Sequence, residues 1–149
     1  MQHFKRTMQV RWSDMDANRH LRHSAYYDYG AAMRMMILSE GGLDLKKLEE
    51  FEVGPILFRE EAIFKREIRL DDIITLDAVM VKSTADFARW SLRHHFTKQD
   101  GTLAAIINID GAWMDLVKRK LTVPNPFIQN IFSKFPKSEE YELIIRKEK

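Results

Sequence analysis

Residues 11–42 read RWSDMDANRHLRHSAYYDYGAAMRMMILSEGG, a charged, polar run that passes without a break into helical periodicity. Tyr26, Tyr29, Met33, Met36 and Ile37 recur at steps of three and four, which lays one apolar stripe along a helix. Ser24 stands where a hydroxyl can cap the first turn, Asp28 sits near the positive end of the helix dipole, and Gly41 and Gly42 supply the backbone freedom that closes a helix. The spacing predicts a helix from about residue 24 to about residue 40, and its stripe needs an apolar surface to lie against.

The flanks supply that surface. Upstream, residues 3–12 alternate as a strand does, with Phe4, Met8 and Val10 among polar neighbours and Trp12 closing the segment. Downstream, LDLKKLEEF (43–51) reads as a short helical connection, and Gly54 and Pro55 open an extended run. From there the pattern is all strand. ILFREEAIFKREIRL runs to Asp71 and Asp72; IITLDAVMVK alternates through Ile74, Leu76, Ala78 and Met80; FARWSLRHHFTK alternates through Ala88, Trp90, Leu92, His94 and Phe96. Asp100 and Gly101 then join this strand to TLAAIINIDGAWMDLV as a tight hairpin, inside which Gly111 marks a bulge or a close backbone approach. TVPNPF and the residues after it hold two X-Pro breaks and a charged end, read as a helical turn and a C-terminal tail over 136–149. One strand, one long helix and about four long strands make an α+β domain spanning 1–149, with an antiparallel β-sheet curled around one central helix. Both faces of 103–117 carry large apolar groups, including Trp113 and Met114, which predicts a homo-oligomer that covers the second face.

Composition narrows the function classes. With 24 basic and 22 acidic residues in 149, the formal charge of +2 is too balanced for a nucleic-acid binder, while a pI of about 8.8 suits an anionic small molecule. The absence of cysteine excludes a disulfide framework, a thiolate metal site and a cysteine nucleophile. No apolar run approaches a membrane span, and MQHFKRTMQVRW lacks the apolar stretch of a signal peptide, so a cytoplasmic location is expected.

The chemistry is concentrated in the loop before the helix. Asp14 and Asp16 are two apart and would face opposite ways on an extended chain, so they need not pair. An aspartate near a helix start can attack a carbonyl or draw a proton from water, and the free N–H groups of the first helical turn can hold the oxyanion that forms. A capping or loop role is the simpler use of the same residue. His20 and His23 lie three apart and could be imagined with Asp16 as a zinc set, but neither HExxH nor another regular ligand motif is present; hydrogen bonds that fix the loop account for them, and no metal or other cofactor is expected. Arg11, Arg19 and Arg22 suit either a solvated surface or a phosphate-binding rim.

The run WSDMDANRHLRHSAYYDYG resembles the hotdog-fold acyl-CoA thioesterases of the 4-hydroxybenzoyl-CoA thioesterase type. Those proteins carry a first strand ending in an aromatic residue, then Asp-x-Asp, a Gly-containing loop and a Tyr opening the central helix. The resemblance implies a hotdog fold and hydrolysis of an acyl-CoA thioester to a free acid and CoA. Asp16 falls on the family's nucleophile or general base, and His23 falls where a backbone N–H polarises the thioester carbonyl. His20, Arg22, Ser24 and Tyr26 are then expected around the substrate. The implied partners are acyl-CoA, with an acyl carrier protein as the alternative carrier, and further copies of the chain in a homodimer or homotetramer whose active sites lie at subunit interfaces. A non-catalytic acyl-CoA or acyl-carrier-protein binding module of the same fold is the competing reading. Two departures stand out: Arg19 replaces the usual glycine, and Arg22 and His23 stand where one family variant has two asparagines.

Overall fold

The computed structural model describes residues 4–145. In chain order these form β1 (Lys5–Gln9), a 3₁₀ turn (Trp12–Asp14), α1 (His23–Glu40), α2 (Leu45–Phe51), β2 (Val53–Phe64), β3 (Ile73–Asp77), β4 (Val79–Ser83), β5 (Arg89–Lys98), β6 (Leu103–Asp115), β7 (Lys120–Leu121), α3 (Pro126–Ser133) and β8 (Lys137–Leu143). The strands make one sheet. β6 lies between β2 and β5, and the other side of β5 is shared by β3, through Leu76 opposite Phe96, and β4, through Met80 opposite Leu92. β1 flanks β3 antiparallel, and β8 flanks β4 parallel. The segment expected as a tail over 136–149 therefore contributes a strand, anchored where the Tyr141 hydroxyl meets Ser83 Oγ at 2.7 Å; residues 146–149 lie outside the described residues.

The strand alternation fixes which face is apolar. Ile74, Leu76, Ala78 and Met80 are all buried, as are Ala88, Trp90, Leu92, His94 and Phe96, and α1 lies over this face through Ala25, Tyr26, Tyr29, Gly30, Met33, Ile37 and Leu38. Met36, counted in the helical stripe, is instead partly exposed, because the buried line runs 26, 29, 33, 37 and position 36 falls on its flank. A Cβ on Gly30 would stand 3.2 Å from the His94 ring, so the missing side chain lets the helix sit close on β5.

Two local expectations change. Ser24 does not cap α1: the cap residue is Arg22, in extended conformation and without a side-chain capping bond, and Ser24 is already inside the first turn with its Oγ accepting from Arg22 Nε at 3.1 Å. Gly111 is a close approach rather than the bulge itself. A Cβ there would lie 2.4 Å from the Trp90 ring and 2.6 Å from the Ile56 carbonyl, while the register shift is in the opposing strand between Leu57 and Arg59. The end of the sheet that carries Trp90 and Trp113 is covered within the chain by α3, whose Phe132 ring lies 5.4 Å from each. Leu57, Phe58, Ile63 and Phe64 of β2 remain exposed. Among the described residues no helix is long and apolar enough to cross a membrane.

Candidate active site at the start of α1

The loop between β1 and α1 is shaped by its two aspartates, which do different work. Asp16 folds the chain back on itself: its N–H donates to the His20 carbonyl at 2.8 Å, its carbonyl accepts from Arg19 N–H at 3.1 Å, and its Oδ1 accepts from the amides of Asn18 (2.9 Å) and His20 (3.1 Å). Arg19 sits at φ 66°, the left-handed region that glycine occupies without strain. The arginine therefore keeps a glycine-like backbone shape here, at an order of 1 kcal/mol in local strain. Asp16 Oδ2 has no hydrogen-bond donor among the described residues.

Asp14, by contrast, is buried and saturated. Arg11 donates to it through Nε (2.9 Å) and Nη2 (3.0 Å), Arg22 through Nη1 (2.9 Å) and the Tyr29 hydroxyl at 2.7 Å. The Arg11 hydrogen bond, with those of Tyr29 and Arg22, holds the Asp14 carboxyl well below the usual carboxylate range despite its burial. Its own carbonyl accepts from Arg22 N–H at 2.8 Å, so this cluster ties β1 to the first turn of α1. Arg22 is thereby committed to Asp14, the Ser13 carbonyl and Ser24, with Asp28 at 3.7 Å. The Asp14 partner Tyr29 is legible in the sequence only as one member of an apolar stripe.

An open cleft of about 920 Å³ lies beside this loop. Asp16, His20, His23 and Tyr26 line it together, whereas Arg22 and Ser24, expected beside the substrate, do not. Tyr26 packs its ring 4.9 Å from Phe64 and 5.3 Å from Phe96, and burial, with the charge of Asp16 added, pushes its hydroxyl up to about 12, so it is a neutral wall. His23 is the first residue of α1, and neither its amide nor that of Ser24 meets an acceptor among the described residues. The free end of the helix dipole thus opens toward the same cleft as Asp16.

The opposite wall is the segment after β2, which sequence reasoning missed. Leu21 N–H donates to the Ile68 carbonyl at 2.8 Å, and His20 Nε2 stands 2.9 Å from Glu67, so the two loops are joined across the cleft. Lys65, Arg66, Arg69 and Lys98 stand on the rim among the carboxylates Glu67, Asp71, Asp72 and Asp100; Lys98 is paired with Asp72 at 3.0 Å and Arg69 lies 4.0 Å from Glu67. The only hint in the sequence is the basic run FKREIR, and nothing in it points to residues 16–23 about fifty positions earlier. His20 and Asp16 do not gather with His23 as metal ligands: among the described residues no group of three or more such side chains could hold an ion.

The model of the thioesterase-like superfamily matches residues 10–132, a span that contains the whole loop, the residues lining the cleft and strands β2 to β7. The chain belongs to the thioesterase-like superfamily. Its fold is the hotdog fold, as expected from the loop motif, and solved thioesterase-like structures share it at low identity. A hypothetical protein of Staphylococcus aureus, solved in complex with CoA, superimposes with a TM-score of 0.83 at 20% identity over 97% of this chain and 89% of that one. A 1,4-dihydroxy-2-naphthoyl-CoA thioesterase from Synechocystis gives 0.79 at 15% identity over 88% and 96%, and a DHNA-CoA thioesterase from Staphylococcus aureus gives 0.76 at 14% over 87% and 88%. No curated protein matches the chain by sequence. Within this thioesterase-like chain, the matched span brings the aspartate, the helix start and a rim of mixed charge to one cleft.

Proposed function

We propose that this protein hydrolyses an acyl-CoA thioester to a free acid and CoA, in the manner of the 4-hydroxybenzoyl-CoA type. One observation carries the reading: Asp16 spends Oδ1 on the loop and leaves Oδ2 without a donor, in the cleft that the first turn of α1 also lines. Asp16 Oδ2 takes a proton from water as that water attacks the thioester carbon, or attacks the carbon itself to give an anhydride that water then opens. In either route the carbonyl oxygen gains charge, and the His23 amide at the helix start donates to it. The C–S bond breaks, and the CoA thiolate leaves and is protonated.

Tyr26 and Phe64 offer the acyl group an apolar wall, His20 with Glu67 closes the loop over it, and Lys65 and Arg66 suit the phosphates of CoA. The CoA held by the staphylococcal protein of the same fold supports CoA over an acyl carrier protein. The site belongs to a cytoplasmic homo-oligomer: β2 is a 12-residue edge strand showing Leu57, Phe58, Ile63 and Phe64, and a second copy pairing along it covers that edge. Phe58→Glu should then shift sedimentation toward the monomer.

The decisive experiment is thiol release from a panel of aliphatic and aromatic acyl-CoAs. Asp16→Asn keeps the volume and removes the charge, and should lower kcat on the order of a hundredfold. Equal rates in parent and variant would overturn the assignment. Label found in Asp16 after a single turnover in oxygen-18 water would identify the anhydride route, with water opening the anhydride at the Asp16 carbonyl, because a general base gains no oxygen from the solvent.

A further inference from the structure

The hairpin joining β6 to β7, with its flanks, reads LVKRKLTV over 116–123: three adjacent cations, an aliphatic pair before them and two more aliphatic residues after. Leu116, Val117, Leu121 and Val123 are all exposed, Val117 at 66%, and so are Lys118, Arg119 and Lys120. The hairpin is nonetheless firmly built. Asp115 Oδ1 accepts from the amides of Val117 and Lys118 at 2.9 Å each, the Asp115 carbonyl accepts from Arg119 N–H at 2.8 Å, and Leu116 N–H donates to the Glu52 carbonyl at 2.9 Å. Arg119 closes the turn at φ 56°, where glycine would sit without strain, so an arginine stands at the tip at a backbone cost. Among the described residues none of the three cations forms a direct ion pair. The acids nearby are Asp115 and Glu52 at the base of the hairpin, and α2, which leads into Glu52, is balanced, with Lys46 and Lys47 against Glu49 and Glu50.

We propose that this hairpin docks the protein on an anionic lipid surface, with Lys118, Arg119 and Lys120 taking headgroup phosphates and the flanking aliphatic side chains entering the boundary of the acyl region. Cations alone would suit any polyanion. The four exposed aliphatic residues select lipid, because they gain nothing against a solvated nucleic-acid backbone but leave water when they pass between headgroups. β6 runs from Leu103, next to the cleft residue Thr102, to Asp115, so a rise of about 3.3 Å per residue puts the hairpin roughly 40 Å along the strand from that wall of the cleft. Docking at this far end leaves the chain's own cleft free, and the proposal does not depend on the hydrolysis reading.

The test is flotation of the full chain with vesicles of phosphatidylcholine, alone or with about one third phosphatidylglycerol, at about 0.1 M salt. The parent should float with the anionic vesicles and stay behind with the neutral ones. Each cation near such a surface is worth about fivefold in partitioning, so Lys118→Gln, Arg119→Gln and Lys120→Gln together should weaken binding on the order of a hundredfold. Val117→Ser should weaken it about threefold with every charge kept. A parent that ignores anionic vesicles or binds neutral ones equally overturns the proposal, as does a triple variant that binds like the parent. So does a Val117→Ser variant of unchanged affinity, which would make the hairpin a general polyanion site. If the triple variant does not fold, Arg119→Gly takes its place: it relieves the turn while removing one cation, and should cost about fivefold.

Discussion

Two buried titratable groups lie against α1, Asp14 at its first turn and His94 beside Gly30 and Arg34, and they are held in opposite charge states. Asp14 has three donors, two of them cationic, and their attraction outweighs the cost of burying a carboxylate. For His94, burial and then the adjacent Arg34 charge both oppose protonation, and its pKa is lowered to about 4. Burial opposes ionisation of both; at Asp14 the donors overcome it, whereas at His94 it dominates and the neighbouring Arg34 adds to it. At the helix start this has a functional side. Arg11 and Arg22 are both spent on Asp14, so Asp16 keeps only the backbone amides of its own loop as partners and its Oδ2 stays open to the cleft.

Exchanging the two aspartates' fates is the strongest way to test that division. Asp16→Asn should cost about a hundredfold in kcat with the unfolding midpoint unmoved; if the midpoint drops as far as activity does, Asp16 is a loop residue and not the reactive one. Asp14→Asn should show the reverse, a loss of about 3 kcal/mol in urea unfolding from a broken buried cluster, with thiol release retained at temperatures where the variant is folded. The two groups also predict separate pH windows. His94 has a folded pKa below its unfolded value, so its contribution is complete above about 6.5 and is lost as pH falls toward about 4, an effect of about 3 kcal/mol. The Asp14 carboxyl is likewise depressed, so its contribution persists through that window and fades only below the ordinary carboxylate range near pH 4. Urea unfolding of the parent and of His94→Gln across pH 7 to 4 checks this, and an imidazole resonance of His94 that titrates near 6.5 would contradict it.

Backbone positions give smaller effects. Gly111→Ala pushes a methyl against the Trp90 ring and the Ile56 carbonyl, which belong to two neighbouring strands, and should destabilise by about 2 kcal/mol. Arg19→Gly removes the left-handed strain while leaving the loop bonds of Asp16 in place, and should raise stability by about 0.5 kcal/mol with activity unchanged. A drop in activity would mean that the Arg19 side chain, and not only its backbone, serves the substrate.

Much of this molecule is readable from residue order, because the rules involved are local. Alternation in IITLDAVMVK and FARWSLRHHFTK marks the buried face correctly, the stripe in AYYDYGAAMRMMIL marks the helix, and Asp100 with Gly101 marks the hairpin. The same logic misplaced Met36 and the Ser24 cap, where one residue of helical phase decides, and it took the β8 segment for a tail, since a strand at the sheet edge shows no apolar alternation. The loop motif singled out Asp16 by resemblance, and the cleft does gather Asp16, His20, His23 and Tyr26. That Arg22 and Ser24 turn to Asp14's side, that Arg19 adopts a glycine conformation, and that the 65–72 segment forms the other wall belong to tertiary structure alone. Local patterning determines which face of each element is apolar. Which charges then meet across the folded chain depends on contacts between segments about fifty residues apart, and no short-range rule contains them.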